Sequence, residues 1–294
     1  MTTYYYRFAR CTVALISDIP LKRDNATAVF ELSDAEKRTA EPDQTIRVTY
    51  AEMPEPPAHA KEIGQRTVWR DPTGGDHFIR FYFKNIEKSR EPYVCGVRRG
   101  KRVDIGFARN SGMEISDRTV LESAGLVSML LDAGGIVLHS SFVLHDGAAV
   151  IFSGASGAGK STQAEMWRRA FGALVVNGDR SLITLEGSGA IASGIIWSGT
   201  SGICLDRTAP VRVIALVSHG EGNAVRPAAP IEAFRAILSQ TTYNIDDPEE
   251  VSRVTAVCAD LVSRVPVVRL CCLPDESAAH YLKKYLDEVG KNGK

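Results

Sequence analysis

The chain has 294 residues, 44% of them hydrophobic, which is enough to bury a substantial core in one large or two modest domains. Lysine plus arginine and aspartate plus glutamate both total 35, which excludes an overall basic field that would attract nucleic acid or anionic lipid. The six cysteines include no C-x-x-C pair, and no stretch reaches the length of a membrane span. We expect a cytoplasmic protein with reduced cysteines and without a nucleic-acid or membrane partner.

Residues 1–115 are rich in β-branched and aromatic residues separated by turn signals, which predicts a small antiparallel sheet domain. The predicted strands cover 7–16, 45–52, 77–84, 93–97 and 102–107. Turn sequences at 71–75 and 99–101 are typical of hairpins. The basic cluster around the second turn favours a solvated hairpin tip, with an acidic-peptide docking surface as the alternative. Its members are Arg98, Arg99, Lys101 and Arg102.

A helix is predicted from Ser116 or Asp117 to a stop at Gly134, because apolar residues recur there at helical spacing. We place a domain boundary near residue 115. The chain would then divide into a β-rich domain over 1–115, which would present the acceptor, and a second domain over 116–294.

The most informative stretch is Gly154-Ala155-Ser156-Gly157-Ala158-Gly159-Lys160-Ser161, which fits the phosphate-loop pattern G-x-x-x-x-G-K-[ST]. A predicted hairpin with strands over 136–144 and 148–152 precedes it, and a helix over 161–171 follows. Glycines let successive N–H groups turn toward an anion, and the helix start adds a positive dipole end. Lys160 is expected to reach the outer phosphates and Ser161 to bind Mg²⁺. A chance glycine-rich turn is the alternative, which the full pattern in this context disfavours.

An acidic residue follows the next predicted strand, at 173–177. Asp179 could there reach either Mg²⁺ or the nucleophile that attacks a γ-phosphate, so it is the first candidate for a catalytic carboxylate. The alternative is an aspartate in an ordinary Gly-Asp turn.

The segments Leu138-His139, 152–162 and 176–180 together resemble the catalytic domain of HPr kinase/phosphorylase, whose P-loop fold is akin to that of phosphoenolpyruvate carboxykinase. The chain looks like the short HPr-kinase-like proteins found beside peptide-modifying systems, including lasso-peptide tail kinases. The resemblance spans roughly residues 135–185. It implies an α/β fold, with a P-loop catalytic domain of this type behind a smaller β-rich N-terminal domain, and a homo-oligomer.

At matching positions the resemblance implies that Lys160 binds the β- and γ-phosphates, Ser161 binds the metal and Asp179 acts as general base on a serine hydroxyl. His139 would correspond to a histidine near the transferred phosphate, whereas the residues alone favour a packed strand histidine. Arg180 is matched beside Asp179 and is a further catalytic candidate. The implied metal ligands are Ser161 and Asp179, and the cofactors are ATP and Mg²⁺. The nucleotide-binding set is Gly154, Ala155, Ser156, Gly157, Ala158, Gly159, Lys160, Ser161 and Thr162.

The sequence also departs from the family. Gly178 stands where the family has the first of two aspartates, which puts phosphorylase chemistry in doubt, and the later glutamate before an Arg-Gly pair has no clear counterpart. A Gly/Ser/Thr segment at 194–202 occupies that place, and it is either a loop that approaches a ligand or an ordinary turn. Arg207 and Arg212 are weaker candidates for stabilising transition-state charge.

The remaining chain alternates helices, predicted over 230–238, 248–263 and 275–289, with strands over 212–218 and 265–273. The acidic run at 246–250 is explained as charge at a helix start rather than as a metal site.

The sequence therefore predicts an ATP- and Mg²⁺-dependent phosphotransferase that acts on a serine or threonine of a peptide or small protein. A small-molecule kinase and a nucleotide-gated binding or assembly ATPase remain alternatives, because both would share the phosphate-binding residues.

Overall fold

The computed structural model describes residues 1–63, 65–84, 89–109, 112, 114–273 and 275–292. The protein is a mixed α/β chain with two sheets. It divides into two compact units, Met1–Met129 and Leu130–Lys294.

Strands form the sheet of the first unit and the centre of the second. In chain order they are β1 (Thr2–Phe8), β2 (Cys11–Ser17), β3 (Gln44–Tyr50), β4 (Lys61–Ile63), β5 (Arg66–Arg70), β6 (Asp76–Lys84), β7 (Ser89–Arg99), β8 (Arg102–Phe107), β9 (Gly135–His145), β10 (Ala148–Ser153), β11 (Leu174–Asn177), β12 (Arg180–Glu186), β13 (Gly189–Ser193), β14 (Thr208–His219), β15 (Ala224–Pro227), β16 (Thr241–Thr242) and β17 (Val267–Cys272).

The longest helices lie in the second unit. They are α1 (Asn25–Ala28), α2 (Asp34–Lys37), α3 (Asp117–Ser123), α4 (Leu126–Asp132), α5 (Lys160–Phe171), α6 (Pro230–Gln240), α7 (Pro248–Arg264) and α8 (Ser277–Asn292), with a short 3₁₀ helix at Gly199–Ser201. No helix in the described part of the chain combines the length and the apolar character needed to cross a membrane.

The first unit is built on an eight-stranded sheet in the order β1-β2-β3-β8-β7-β6-β5-β4. The expectation of a purely antiparallel sheet was wrong, because β3 pairs parallel with both β2 and β8. The prediction of a single strand over 7–16 was also wrong. This stretch contains the end of β1, a turn and most of β2, which form a hairpin. Ala9, with a φ of 51°, lies in the turn, where the sequence has no glycine or proline signal.

The helical segment predicted after residue 115 begins as expected, since the Ser116 hydroxyl accepts from the Thr119 N–H at its start. It is two helices, α3 and α4, because Gly125 adopts a φ of 83° between them. Helix α3 is tied to the first unit by buried Asp117, which accepts from the Tyr6 hydroxyl at 2.9 Å. The chain divides into its two compact units within α4, between Met129 and Leu130. The assignment of a β-rich domain and a catalytic domain stays a prediction.

The basic cluster lies on the β7–β8 hairpin and is largely paired locally. Arg99 contacts Asp71 at 3.0 Å and Arg102 contacts Asp104 at 2.8 Å. These ion pairs favour the solvated-tip interpretation of this hairpin. The role of the first unit in acceptor binding stays a prediction.

The second unit contains a nine-stranded sheet in which β9 and β14 each pair with more than two other strands. One half of β9 pairs with β10 and the other with β12. The predicted β9–β10 hairpin is confirmed, with Asp146 and Gly147 both at positive φ in its turn. Because β10, β14 and β17 run parallel, their carboxyl ends meet at one edge.

Apolar side chains cover both faces of this sheet. One cluster joins it to α6 and α7 through residues such as Ile237 and Leu261, and the other joins it to α5 and α8 through Trp167 and Leu282. Fully burying an aliphatic side chain such as Leu282 contributes about 2 kcal/mol, so the second cluster stabilises the packing of α5 on the sheet. The acidic run caps α7 as expected, since Asp247 accepts from the N–H groups of Glu249 and Glu250.

Candidate active site

The glycine loop, Gly154–Gly159, connects the end of β10 to the start of α5. Gly154 has a φ of 148°, and a Cβ there would lie 2.8 Å from the Val217 carbonyl oxygen on neighbouring β14. Gly159 precedes the helix at a φ of 97°. The local geometry is therefore that of a strand, a tight glycine turn and an open helix start, the arrangement that suits an anion.

Lys160 folds back over this loop. Its side chain is largely buried, and Nζ donates to the carbonyl oxygens of Gly154 at 2.9 Å and Ala155 at 3.0 Å. Burial lowers the pKa of the ammonium, and the nearby Asp179 carboxylate opposes that shift. When a phosphate binds in the loop, Lys160 would exchange these two neutral carbonyl acceptors for charged phosphate oxygens, which accept stronger hydrogen bonds.

The beginning of α5 is also connected to the segment before Asp179. The Ser161 hydroxyl donates to the Gly178 carbonyl oxygen at 3.3 Å, and the buried Ser141 hydroxyl donates to the same oxygen at 3.0 Å. The two hydroxyls therefore hold Gly178, and with it Asp179, beside the first turn of the helix.

Asn177 fixes the turn that presents Asp179. It is fully buried at the end of β11, and its Oδ1 accepts from the N–H groups of Asp179 at 3.0 Å and Arg180 at 3.1 Å. Its amide donates in turn to the Ile195 carbonyl. Asn177 was predicted only as the end of a strand, although an asparagine two residues before a turn aspartate is a signal of such an Asx turn.

Asp179 lies between His139 and Arg180, and each of the three side chains is about one-third exposed. The Asp179 Oδ1 is 3.6 Å from His139 Nε2, and its Oδ2 accepts from Arg180 Nε at 3.3 Å. His139 and Arg180 are directly paired across β9 and β12. The sequence-predicted residues His139, Lys160, Ser161, Asp179 and Arg180 are therefore brought together at one sheet edge.

Burial lowers the pKa of the His139 imidazole, Lys160 lowers it further, and the opposing effect of Asp179 does not restore it. These surroundings disfavour a charged imidazole beside Asp179. Arg180 supplies the positive charge beside that carboxylate, and it is held by the Thr242 hydroxyl and by the Trp197 ring, whose centre is 5.8 Å from the guanidinium carbon.

The glycine-rich segment at 194–202 packs against Asp179. A Cβ on Gly199 would lie 2.7 Å from the Asp179 Cβ, and the residue has a φ of 58°. A Cβ on Gly178 would lie 2.0 Å from the Ser201 hydroxyl oxygen. The segment is thus a close-packed support for the aspartate, and its position explains why an aspartate side chain has no room at 178.

The oxygen atoms near the loop suit Mg²⁺ better than a metal that prefers nitrogen or sulfur. Mg²⁺ keeps several waters and needs only one or two protein oxygens besides substrate phosphates. Ser161 supplies a hydroxyl and Asp179 a carboxylate, and Gly178 links the two. Among the described residues there is no group of three or more His, Cys, Asp or Glu side chains that could hold a metal alone.

His219 was missed by sequence analysis. It is exposed at the carboxyl end of β14, and its Nε2 lies 2.9 Å from the Gly157 carbonyl oxygen. Only the parallel pairing of β10 with β14 brings it to the glycine loop. A histidine some sixty positions downstream carried no local signal of this contact.

The weaker arginine candidates have other contacts. Arg212 lies toward the amino end of β14 and contacts Asp287 of α8 at 3.3 Å. Arg207 donates to the Asp206 carbonyl. Neither contact is with the Asp179 cluster.

No family model matches the chain, and no curated protein matches its sequence. Among solved structures, the Hpr(Ser) kinase/phosphatase from Coxiella burnetii is similar over 53% of this chain and 96% of its own, with 14% sequence identity and a TM-score of 0.29. At this identity and TM-score, the function of the protein has to be argued from its own site residues.

Proposed function

We propose that the chain is an ATP- and Mg²⁺-dependent phosphotransferase that moves the γ-phosphate to a serine or threonine hydroxyl of a peptide or small protein. The observation that carries this proposal is the hydrogen bond from Ser161 to the Gly178 carbonyl, which holds the candidate base Asp179 beside the glycine loop. A nucleotide-gated ATPase would share the loop and could use the same carboxylate for Mg²⁺ or for the attacking water, so transfer to an acceptor distinguishes the two functions.

Each site residue would have a separate role in phosphoryl transfer. The loop N–H groups and Lys160 would hold the phosphates, and Ser161 would hold Mg²⁺, which would neutralise charge on the phosphate oxygens. The acceptor oxygen forms a bond to the γ-phosphorus, the bond from that phosphorus to the β–γ bridging oxygen breaks, and the acceptor proton passes to Asp179. Arg180 would offset negative charge that develops during transfer.

The test is incubation of the purified protein with γ-labelled ATP, Mg²⁺ and the peptides or small proteins encoded beside it, followed by mass analysis of labelled products. Label on serine or threonine that disappears in Lys160→Ala and Asp179→Asn supports the proposal. ATP binding without a labelled peptide or protein would contradict it, and would favour a small-molecule acceptor or a nucleotide switch.

Substitution of Gly199 by alanine is expected to lower kcat by about 10²-fold, because the new Cβ displaces the Asp179 side chain from its place and small misplacements of a reacting group are costly. Steady-state kinetics on the labelled acceptor checks this. Gly202→Ala is the matched control, since Gly202 has a similar φ of 66° but no neighbour within 4 Å of its Cβ. Equal losses in both variants would attribute the effect to backbone strain and remove the argument for support of Asp179.

Substitution of His219 by alanine is expected to weaken ATP binding about fivefold, because the hydrogen bond to Gly157 that helps shape the loop is lost. His219→Gln should retain most of the affinity, since its amide can donate to the same carbonyl. Calorimetric titration measures both. Wild-type affinity in His219→Ala would show that the contact has no role in the loop.

A further inference from the structure

The guanidinium of Arg180 has three contacts that fix its orientation. Its Nε donates to Asp179 Oδ2 at 3.3 Å, and its Nη1 donates to the Thr242 hydroxyl. The guanidinium carbon also lies over the Trp197 ring, 5.8 Å from the ring centre. A guanidinium is a planar fork of five N–H donors, so fixing two of them also fixes the direction of the other three.

One end of this fork is available to a ligand. None of the hydrogen bonds that Arg180 makes with the described residues uses Nη2, and 30% of the side chain is exposed. The two N–H groups of Nη2 can therefore bind an anion that approaches Asp179. A phosphoryl oxygen is a suitable partner, because hydrogen bonds between arginine and phosphate are assisted by both charges.

Thr242 is held in place by the sheet. It lies in β16, directly opposite Val137 of β9, and Arg180 begins β12, which pairs with the same strand. The preceding Thr241 is buried, and its hydroxyl donates to the Ile237 carbonyl oxygen at 2.9 Å. Thr242 is therefore a fixed acceptor for the arginine, and its position does not depend on the arginine side chain.

Trp197 is positioned by the same side chain that fixes the turn of Asp179. The Asn177 amide donates to the carbonyl of fully buried Ile195, two residues before Trp197. The Asn177 Oδ1 accepts from the N–H groups of Asp179 and Arg180. One buried asparagine thus connects the chain that carries the tryptophan ring to the turn that carries the guanidinium.

We propose that Thr242 and Trp197 are positioning residues, which fix the Arg180 guanidinium so that Nη2 binds the phosphoryl group during its transfer. The inference rests on the proposed phosphotransferase. Donors that are oriented before the reaction stabilise developing charge without any cost of reorganisation. Thr242 and Trp197 should therefore affect kcat, and leave the affinities for ATP and for the acceptor unchanged.

Steady-state kinetics on the labelled acceptor tests the inference with Thr242→Val, which keeps the shape of the side chain and removes its hydroxyl. We expect kcat to fall about tenfold, with the acceptor KM and the Kd of ATP unchanged. Thr242→Ser should recover most of the activity. Thr255→Val is the matched control and should resemble the wild type, because the hydroxyl of partly buried Thr255 donates within α7 to the Val251 carbonyl.

The ring of Trp197 is tested in the same assay. Trp197→Leu should lower kcat about fivefold, and Trp197→Phe should retain most of the activity because it keeps an aromatic face for the cation. In an Arg180→Met background, neither Thr242→Val nor Trp197→Leu should cause a further loss, since both act through the guanidinium.

Three results would overturn the inference while transfer itself stands. The first is wild-type kcat in Thr242→Val, and the second is a full tenfold loss from Thr242→Val in the Arg180→Met background. The third is a change confined to the acceptor KM, which would assign Thr242 to acceptor binding.

A binding measurement separates this inference from the broader proposal. Calorimetric titration compares ADP and Mg²⁺ with and without aluminium fluoride, which imitates the phosphoryl group in transfer. Thr242→Val should bind the fluoride complex about tenfold more weakly and ADP alone as tightly as the wild type does. Equal weakening of both ligands would overturn the inference.

Failure of the proposed function gives a different pattern. A protein that shows the fluoride effect but labels no peptide or protein supports the role of Thr242 and contradicts the proposed acceptor. A wild-type protein that binds neither ADP nor ATP contradicts both.

Discussion

Replacing Asp179 by asparagine is expected to lower kcat for phosphoryl transfer by about 10³-fold, the range over which a general base contributes. The amide keeps the size of the side chain, and its oxygen can still accept a hydrogen bond from Arg180, but it cannot take the proton of the acceptor hydroxyl. The turn is retained, because it depends on the side chain of Asn177 and on backbone N–H groups. Single-turnover measurements with labelled ATP, together with ATP titration, check the separation of turnover from binding.

The matched control for Asp179→Asn is Asp146→Asn. Asp146 is an exposed aspartate in the β9–β10 turn, and asparagine tolerates its positive φ. This control should leave turnover unchanged. If Asp179→Asn retains wild-type turnover, Asp179 is not the base. If it loses metal-dependent ATP affinity in parallel with turnover, its main role is to hold Mg²⁺, as in a nucleotide switch.

Replacing Lys160 by alanine is expected to lower kcat/KM for ATP by about 10³-fold, because the ammonium is the mobile charge that reaches the outer phosphates. The two carbonyl groups it contacts, on Gly154 and Ala155, would also lose their donor, so the free loop should loosen. Lys160→Arg is the companion variant. It keeps the charge but not the compact ammonium, and should recover only part of the activity.

A pH profile adds an independent readout for Lys160. Burial lowers the pKa of its ammonium, so the free protein loses this charge as pH rises, below the range of an ordinary lysine. ATP affinity should therefore be full below that pKa and fall as pH rises through it, and Lys160→Arg should not show this decline. If ATP affinity declines at the same alkaline pH in Lys160→Arg, the decline belongs to another group. Wild-type kinetics in Lys160→Ala would show that Lys160 has no role in the mechanism.

Local signals were enough to predict the central part of the second unit. The β9–β10 hairpin, the glycine loop, α5 and the strand before Asp179 each occupy a short stretch whose residues determine its conformation. Glycines with positive φ mark the turns, and apolar residues at helical spacing mark the helix. The amphipathic helices α6, α7 and α8 were predicted within a few residues for the same reason.

Local sequence signals did not predict a turn that lacks glycine and proline, or the pairing of strands that are far apart in the sequence. The β1–β2 hairpin turns at Ala9, and the parallel pairs of β3 join strands separated by long connections. In both cases burial of a shared apolar face decides the pairing, and a single strand does not reveal which partner covers it.

The amino-acid sequence by itself determined which functional groups the site contains: a glycine loop, Lys160, Ser161 and an aspartate at the end of a strand. Only the tertiary structure decided how they meet. It places His139 opposite Arg180 across two strands, packs Gly199 against Asp179, and brings His219 to the loop through parallel pairing. These contacts join residues far apart in sequence, so their geometry follows from sheet register and close packing rather than from any local preference.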